Sequence, residues 1–318
     1  MSVPVRLSAP SPGDSEALAR FRLLVTDAER VDGQRAVNEQ SMLTVGRDRG
    51  PVLLEARVGD SLAGAAVLAT PEDAAESAEA EFLVAPEFRR RGVGTAILAH
   101  LVDSAPHGLA AWAHGDHPGA AALARRFDFR RSRVLLKLSA PPRADETPWQ
   151  RTDLSLSTFD ADRDADDWLR LNALAFASHP EQGSQTRDDL DARRAEPWFD
   201  PEDFLLARDS SGFLVGFCWL KVEVPEGDPT GAADGGAAVQ GVPAHAGDVE
   251  GEIYVLGVHP DRAGAGIGRS LLRAGLDRLR VRGVSRVTLY VEEENASAVR
   301  LYRSEGFTDA AVDVQYRR

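Results

Sequence analysis

Two glycine-rich turns carry the clearest chemical signal in this sequence. Residues 263–268 read AGAGIG and residues 89–94 read RRRGVG, and each turn separates an apolar, strand-like run from an amphipathic, helix-like run. Glycine lets the backbone approach a ligand closely, and the free N–H groups at the start of a helix attract anions such as pyrophosphate. Both turns therefore predict an anion-binding site.

Three ligand classes compete for such a turn. A nucleoside-triphosphate loop ends in Gly-Lys-Ser or Gly-Lys-Thr, which neither turn contains. A dinucleotide fingerprint, G-x-G-x-x-G, needs glycine at the position of Arg269. The third class is the R-x-x-G-x-G turn that binds the pyrophosphate of coenzyme A, and residues 89–94 match it fully. The surroundings favour this class, because V-x-P precedes both turns and N-x-x-A-x-x-x-Y-x-x-x-G-F runs from Asn295 to Phe307.

The elements around the two turns repeat in the same order, so the chain is a diverged duplication. At an offset of 174 residues, Pro86 matches Pro260 and Leu98 matches Leu272. Each half predicts a strand, the turn, an amphipathic helix, a second strand, a short helix and a closing strand. We expect an α/β fold with an N-terminal domain at residues 1–139, a linker at 140–153 and a C-terminal domain at 154–318. Residues 225–249 predict a flexible insertion.

Composition excludes several classes of protein. The 318 residues, 43% of them hydrophobic, suffice for two packed domains. A net charge of −13 argues against a nucleic-acid partner, because phosphate binding requires a basic surface. No apolar run could span a bilayer, and the first residues lack the pattern of a signal peptide. The single cysteine, Cys218, lies in an apolar run, which predicts a core position for it. His114 and His117 lack further ligands at metal spacing. We expect a cytoplasmic monomer with no membrane partner and no metal.

Both halves resemble GNAT N-acetyltransferase domains in their turns and in the helix that ends at Phe307. The resemblance implies two tandem GNAT-fold domains, each a mixed, mostly antiparallel sheet flanked by helices, with acetyl-CoA as co-substrate. The segments NALAFASHPEQG, EPWFDPEDF and GEIYVLGVHP resemble those of tandem GNAT enzymes that acetylate the cysteinyl amine of cysteinyl-glucosaminyl-inositol, the last step of mycothiol synthesis. The expected partner is therefore a small thiol-sugar-inositol substrate, lying between the two halves.

Direct acyl transfer to an amine requires a base, donors to the oxyanion, and an acid for the leaving thiolate. Glu252 suits the base, acting through water, and Tyr302 suits the acid, since a phenol of pKa about 10 can donate to a thiolate of pKa about 8.5. The resemblance implies the same roles, with nearby backbone N–H groups polarising the thioester. Alternation along the strand predicts one common face for Glu252, Tyr254, Leu256 and Val258.

The first half lacks both groups in an internal alignment. Glu252 corresponds to Ala78 when the turns are aligned, with Glu79 beside it, and Tyr302 corresponds to Ala124 when the closing phenylalanines are aligned. We therefore expect the first half to be a non-catalytic domain that binds acyl-CoA or serves a structural role.

The second turn departs from the coenzyme A pattern at its opening residues. Ala263 and Gly264 stand where the pattern has polar or basic residues. Backbone N–H donors survive this change, but charge-assisted contacts are weakened, and Arg262 and Arg269 replace them only in part. We expect looser binding of acetyl-CoA.

Five residues are expected to contact the substrate: Glu39, Glu181, Lys221, Glu252 and Tyr290. Each has a structural alternative, since Glu39 suits an ordinary helix, Glu181 a solvated loop and Tyr290 a packed core. Lys221 also suits an edge strand, where a charge discourages aggregation. The resemblance favours the substrate role for these positions.

The residues expected to bind coenzyme A surround the two turns and the start of the last helix. In the second half they are Leu256, Gly257, Val258, Ala263, Gly264, Ala265, Gly266, Ile267, Gly268, Arg269, Asn295, Ala296, Ser297, Ala298, Val299 and Arg300. In the first half they are Phe82, Leu83, Val84, Arg90, Arg91, Gly92, Val93, Gly94 and Thr95.

Two other functions stay open. The chain could be a tandem GNAT enzyme for another amine, such as an aminoglycoside or a peptide N-terminus. It could also be an acyl-CoA-binding sensor without turnover, which the altered turn at Ala263 favours and the presence of Glu252 and Tyr302 disfavours.

Overall fold

The computed structural model describes residues 4–48, 50–71, 77–142, 151–177, 179–222 and 249–318. The chain divides into two compact units, the first made of Met1–Leu136, Glu292–Asn295 and Ala311–Arg318, and the second of Lys137–Val291 and Ala296–Ala310. Most of the predicted linker (143–150) and all of the predicted insertion except Val249 lie outside the described residues. The domain boundaries therefore stay a prediction.

Strands and helices follow one another along the chain in two similar series. In chain order the strands are β1 (Arg6–Ser8), β2 (Val52–Val58), β3 (Ser61–Ala69), β4 (Ala78–Val84), β5 (Leu109–Ala113), β6 (Arg130–Ala140), β7 (Leu154–Thr158), β8 (Phe204–Asp209), β9 (Leu214–Val222), β10 (Glu250–Val258), β11 (Arg286–Glu292) and β12 (Thr308–Arg317). The helices are α1 (Ser15–Asp32), α2 (Glu39–Thr44), α3 (Val93–Ser104), α4 (Pro118–Arg126), α5 (Ala161–Ala175), α6 (Pro180–Gly183), α7 (Arg187–Arg194), α8 (Ile267–Val281) and α9 (Ala296–Ser304).

The first unit is a mixed sheet with helices on both faces. Its strands run in the order β1-β2-β3-β4-β5-β12-β6, and β4 and β5 are parallel, whereas β1–β2, β2–β3, β3–β4 and β5–β12 are antiparallel. Helix α1 begins at its cap Asp14, whose carboxylate accepts from two backbone N–H groups, and ends at Gly33 in the left-handed conformation (φ 66°). One apolar core packs α3 on the sheet and a second packs α1 on the opposite face.

The second unit repeats this plan. Its strands run in the order β6-β11-β10-β9-β8-β7, again with one parallel pair, β10–β11. Every residue of β9 is buried. Its sequence, LVGFCWLKV, predicts this for all positions except the lysine, because the other residues form an uninterrupted apolar run. An aromatic core built around Trp168, Phe204, Phe217 and Trp219 packs on one face of the sheet. The predicted mixed, mostly antiparallel sheets flanked by helices are confirmed.

In each unit the two parallel strands are paired over only part of their length. The β4–β5 register ends at Ala80, although β4 continues to Val84, and the β10–β11 register ends at Ile253, although β10 continues to Val258. The two strands of each pair therefore separate toward the glycine turn, which leaves a wedge open for a ligand. No helix of the described residues has the length and apolar character needed to cross a membrane.

Candidate active site

The second turn leads into a helix start whose first backbone N–H groups have no acceptor within the helix. Gly264 and Gly266 both adopt positive φ (79° and 78°), which glycine tolerates without strain. Gly266 is the N-cap of α8, and no side chain among the described residues caps this helix. An added Cβ on Gly268 would lie 3.5 Å from Val258 and 3.7 Å from Leu256, so the helix start is held close to β10. The turn and the strand thus fit a phosphate-bearing ligand, as predicted for residues 263–269.

The arginines near this turn are arranged differently from the expectation. Arg262 and Arg269 are engaged with protein carboxylates, Arg269 donating to Glu305 at 2.8 Å. Arg151, which the sequence analysis missed, instead lies at the turn and donates from Nη1 to the Ala265 carbonyl at 2.8 Å. It also donates to both carboxylate oxygens of Asp153, at 2.7 and 2.5 Å, which fixes the direction of the guanidinium. No sequence signal marks Arg151, because it precedes β7 and is distant from the turn along the chain.

Strand β10 carries a β-bulge at Tyr254 in its pairing with β9. Leu256 and Val258 face α8, since an added Cβ on Gly268 would be within 4 Å of both. Tyr254 packs against the aromatic core on the opposite face. The predicted common face is therefore wrong for Leu256 and Val258, because the extra residue in the bulge reverses the alternation of side chains. Glu252 and Tyr254 flank Ile253, which faces α8, and they share the other face as predicted.

Three predicted site residues lie close together on the second sheet. Lys221 is the cross-strand partner of Glu252 in the antiparallel β9–β10 ladder, which brings the two Cβ atoms within about 5.5 Å. Thr288 is the partner of Glu252 on β11, and Tyr290 follows two residues later, so Tyr290 lies on the same face at a diagonal position. The structure therefore groups Glu252, Lys221 and Tyr290.

Lys221 is buried in an aromatic surrounding. Its side chain is only 5% exposed, and its ammonium lies 4.9 Å from the ring of Trp198 and 5.9 Å from that of Tyr254. The Tyr254 hydroxyl in turn accepts a hydrogen bond of 2.7 Å from Arg193. Since β9 lies between β8 and β10, the alternative of a charged edge strand is wrong for Lys221. An ammonium that is buried between two aromatic rings has a fixed position, as a substrate-binding residue requires.

Tyr302 lies on α9 with its ring buried beside Phe307, at a centroid distance of 5.9 Å. Burial raises the pKa of the phenol well above its usual value, with a further contribution from Cys218. The phenol is therefore protonated at neutral pH, as an acid must be. Within the described residues, no hydrogen bond is made to its hydroxyl. Cys218 is itself fully buried, which raises its pKa to about 12, so the thiol is a core residue.

The hydrogen-bond ladders correct the internal alignment. On β3, Gly64 pairs with the last residue of β4, and the fifth residue after Gly64 pairs with Glu79. On β9, Gly216 pairs with the last residue of β10, and the fifth residue after Gly216 pairs with Glu252. Glu79 and Glu252 therefore occupy the same position of the two sheets. Their parallel partners, Ala110 and Thr288, occupy matching positions as well. The assignment of Ala78 to this position is wrong, because the bulge residue of β10 adds one residue that a constant offset ignores. The first unit therefore does possess the carboxylate.

The correspondence of Ala124 to Tyr302 holds. The Ala124 carbonyl accepts from the N–H of Phe129 at 2.9 Å, and the Tyr302 carbonyl accepts from the N–H of Phe307 at 3.1 Å. The first unit thus has the carboxylate but no phenol at the position that matches Tyr302. Its Glu79 is moreover engaged, since the Trp112 indole N–H donates to it.

A cleft of about 600 Å³ opens in the first unit beside its turn. Gly92 caps α3 with φ 92° and no side-chain cap, as at the second turn. Arg89, the opening residue of the matched motif, donates to both oxygens of Asp32 at 2.7 Å and is therefore engaged within the protein. Among the residues predicted to bind coenzyme A, those lining the cleft are Phe82, Leu83, Val84, Arg90, Gly92, Gly94 and Thr95.

A buried histidine with two carboxylates also lines this cleft. His114 lies 2.7 Å from Glu81 and 3.0 Å from Asp313. Burial alone would lower the pKa of His114, but the hydrogen bonds and charges of Asp313 and Glu81 raise it to about 9. His114 is therefore an imidazolium at neutral pH and ties the last strand of the chain to β4 within the first unit.

Two predicted substrate residues lie elsewhere. Glu39 is the first residue of α2 in the first unit, and Glu181 belongs to α6, with its side chain outside the described residues. Whether the substrate lies between the halves stays a prediction. Among the residues that the structure describes, no group of three or more His, Cys, Asp or Glu side chains could hold a metal ion.

Comparison with known proteins gives two kinds of match. The model of the Acetyltransferase (GNAT) family matches residues 19–129 and, separately, residues 168–307. A mycothiol acetyltransferase of Clavibacter sepedonicus is 48% identical over 315 residues, covering 97% of this chain and 93% of its own. A mycothiol acetyltransferase of Thermobispora bispora is 44% identical and covers 97% of both chains.

Solved structures resemble the whole chain. A tandem GNAT protein from the clavulanic acid biosynthesis pathway superposes with a TM-score of 0.73 at 21% identity, covering 99% of this chain and 98% of its own. A GCN5-related N-acetyltransferase from Sphaerobacter thermophilus superposes with a TM-score of 0.67 at 22% identity, covering 100% and 96%. At these identities the likeness concerns the fold alone.

Proposed function

The chain belongs to the acetyltransferase (GNAT) family, and on that premise we propose that it transfers the acetyl group of acetyl-CoA to the cysteinyl amine of cysteinyl-glucosaminyl-inositol, giving mycothiol. The predicted pair of tandem GNAT domains and the predicted acyltransferase activity are confirmed by the family match. The substrate assignment rests on one observation, the similarity of nearly the whole chain to relatives named mycothiol acetyltransferase.

The second unit carries the chemistry in this proposal. Glu252 accepts the proton of the ammonium, through water, and Tyr302 protonates the leaving thiolate. Burial supports the second role, because it keeps Tyr302 protonated, and a thiolate formed in the same apolar surroundings has its own pKa raised by desolvation. The backbone of Leu256 to Val258, beyond the last pairing of β10 with β11, polarises the thioester.

Acetyl-CoA is bound through its pyrophosphate by the N–H groups of the second turn and the start of α8. Arg151 compensates for the missing basic residues at Ala263 and Gly264. Its guanidinium is fixed on the Ala265 carbonyl, and it lies near Gly266, where an added Cβ would be 3.7 Å from Nη1. Asp153 is 62% exposed, so water screens its charge and leaves the arginine a net attraction for an anion.

The first unit is non-catalytic in this proposal. Ala124 offers no proton to a leaving thiolate, and the carboxylate of Glu79 is occupied by the indole of Trp112. Its uncapped helix start and adjoining cleft support the binding of a coenzyme A thioester.

Substrate binding completes the proposal. Lys221 and Tyr290, on the same sheet as Glu252, offer donors to sugar or inositol hydroxyl groups, and Glu39 and Glu181 accept from them. A cytoplasmic, monomeric and metal-free enzyme without nucleic-acid or membrane partners belongs to the same proposal.

One assay tests the activity. Purified protein is mixed with acetyl-CoA and cysteinyl-glucosaminyl-inositol, and the release of free coenzyme A is followed together with the mass of the acetylated product. We expect one acetyl group on the cysteinyl nitrogen for each coenzyme A released. An aminoglycoside and a peptide with a free N-terminus serve as competing acceptors. Turnover on either of these, with none on the cysteinyl sugar, would refute the substrate assignment. Binding of acetyl-CoA without turnover on any acceptor would refute the activity and favour an acyl-CoA-binding sensor.

A further inference from the structure

The first unit contains space that the second unit fills with a phenol. Tyr302 packs against Phe307, and Cys218 contributes to the shift of its pKa. The matching residues of the first unit are Ala124, Phe129 and, on the ladder, Ala66. Two of these positions carry alanine, which is smaller than the tyrosine and the cysteine that it matches, and Ala124 lines the cleft of the first unit.

This space belongs to the cleft beside the first turn. Ala124 and Phe129 both line the cleft, together with Leu98, Ala111 and Leu123. All five side chains are apolar, and all except Leu123 are almost fully buried. The lining of the same cleft also includes Gly92, at the uncapped helix start, and Arg90. The cleft thus joins an anion site to an apolar recess.

The two groups proposed to carry the reaction in the second unit have no available counterpart at the matching positions of this cleft. A leaving thiolate would find no hydroxyl at Ala124, and Glu79 is already hydrogen-bonded to Trp112. A ligand with a pyrophosphate at one end and a hydrocarbon chain at the other fits both the uncapped helix start and the apolar lining without requiring a reaction.

We propose that the first unit is a binding site for acyl-CoA thioesters whose acyl chain is longer than acetyl, of the butyryl to hexanoyl class. The chain occupies the recess that Ala124 leaves open, and the pyrophosphate lies on the turn at Gly92. The inference rests on the use of coenzyme A thioesters by this family, but not on which amine the second unit acetylates. The second unit disfavours the longer chain, because Tyr302 fills the equivalent volume.

The expected gain follows from burial of methylene groups. Each buried methylene tightens binding about fourfold, which is the equivalent of about 0.8 kcal/mol. Butyryl-CoA carries two methylenes more than acetyl-CoA, so we expect its dissociation constant at this site to be about fifteenfold lower.

Calorimetric titration of the full-length protein with coenzyme A, acetyl-CoA, butyryl-CoA and hexanoyl-CoA tests the inference. We expect one site whose affinity rises along the series from acetyl to hexanoyl. Ala124→Tyr should remove this rise, because the phenol fills the recess, and Ala124→Ser, which keeps the space open, should retain it. Binding of acetyl-CoA at the second unit, and acetyl transfer there, should persist in Ala124→Tyr and would show that this variant is folded.

Two results would overturn the inference. One is an affinity of the wild-type protein that stays constant or falls as the acyl chain lengthens, a measurement that needs no variant. The other is an unchanged rise with chain length in Ala124→Tyr. Either result leaves the proposed acetylation untouched, since coenzyme A release with the cysteinyl sugar is measured separately.

Discussion

Each unit contains a pair of parallel strands that separate toward the glycine turn, but the side chains near this pair differ between the units. The second unit has a carboxylate, Glu252 on β10, and a phenol, Tyr302 on α9. In the first unit the matching carboxylate, Glu79, is present, but it accepts a hydrogen bond from the indole N–H of Trp112. The phenol is replaced by Ala124. The first unit thus differs from the proposed catalytic one mainly by the acid, and only secondarily by the base.

This difference shows how a duplicated fold can separate binding from chemistry. The turn and the uncapped helix start, which bind anions through the backbone, are present in both units. The groups that move protons are single side chains, so one substitution removes a step and leaves the backbone site intact. In the first unit the position of the phenol carries the small apolar residue Ala124.

The largest effect is expected from a matched pair of carboxylate variants. Glu252→Gln should lower kcat about 10²- to 10⁴-fold, because it removes the proposed base. Glu79→Gln, at the same ladder position of the first unit, should leave kcat unchanged. Steady-state rates of coenzyme A release, at equal amounts of folded protein, measure both. Equal losses in the two variants would contradict the division of roles between the units.

Replacement of the phenol should have a similar but smaller effect. Tyr302→Phe removes the proton donor while keeping the ring against Phe307, so kcat should fall about 10²-fold, and the affinity for acetyl-CoA should stay the same. A pre-steady-state measurement of thiolate release separates this step from product dissociation. A variant with full kcat would exclude Tyr302 as the acid.

The next effect concerns stability and belongs to the first unit alone. The pKa of His114 is about 9 in the folded protein and about 6.5 when unfolded, so the imidazolium is stabilising below pH 6.5. That contribution, about 3 kcal/mol at most, is lost as the pH rises from 6.5 through 9. Hydrogen exchange of the β4 and β5 amides between pH 6 and 9, corrected for the intrinsic exchange rate, should show this fall in protection.

Two histidine variants check the source of that pH dependence. His114→Gln should abolish it and should destabilise the first unit at pH 6, because Glu81 and Asp313 then face each other without a cation. His107→Gln, at an exposed position of the same unit, should preserve it. An unchanged pH dependence in His114→Gln would exclude this cluster as its source.

The sequence predicted the repeated elements and the turns because both depend on local patterns. Glycine at 92 and 266, apolar periodicity and the strand composition are features of adjacent residues. The alternation along β10 failed at Tyr254, because a bulge is fixed by pairing with a neighbouring strand and leaves no local signal. The same inserted residue explains why a constant offset passed over Glu79.

Contacts between distant residues were equally inaccessible. Nothing in the spacing of His114, Glu81 and Asp313 indicates that they meet, since Asp313 enters the first unit on the last strand of the chain. Lys221 was expected at a functional position, but its burial over Trp198 and its place opposite Glu252 required the sheet register. Arg151 was missed for the same reason.

Arg151 gives the smallest effect and the most specific comparison of the two turns. Because it fixes the second turn and adds charge near the pyrophosphate, Arg151→Gln should weaken binding of acetyl-CoA about tenfold and leave kcat unchanged. S-acetylpantetheine, which lacks the pyrophosphate, should bind the variant and the wild type equally. Arg262→Gln is the matched control, since Arg262 lies toward Asp209, and it should change neither affinity by much. If Arg151→Gln weakened both donors alike, the residue would support the fold of the unit in general, and the second turn would bind acetyl-CoA through its backbone alone.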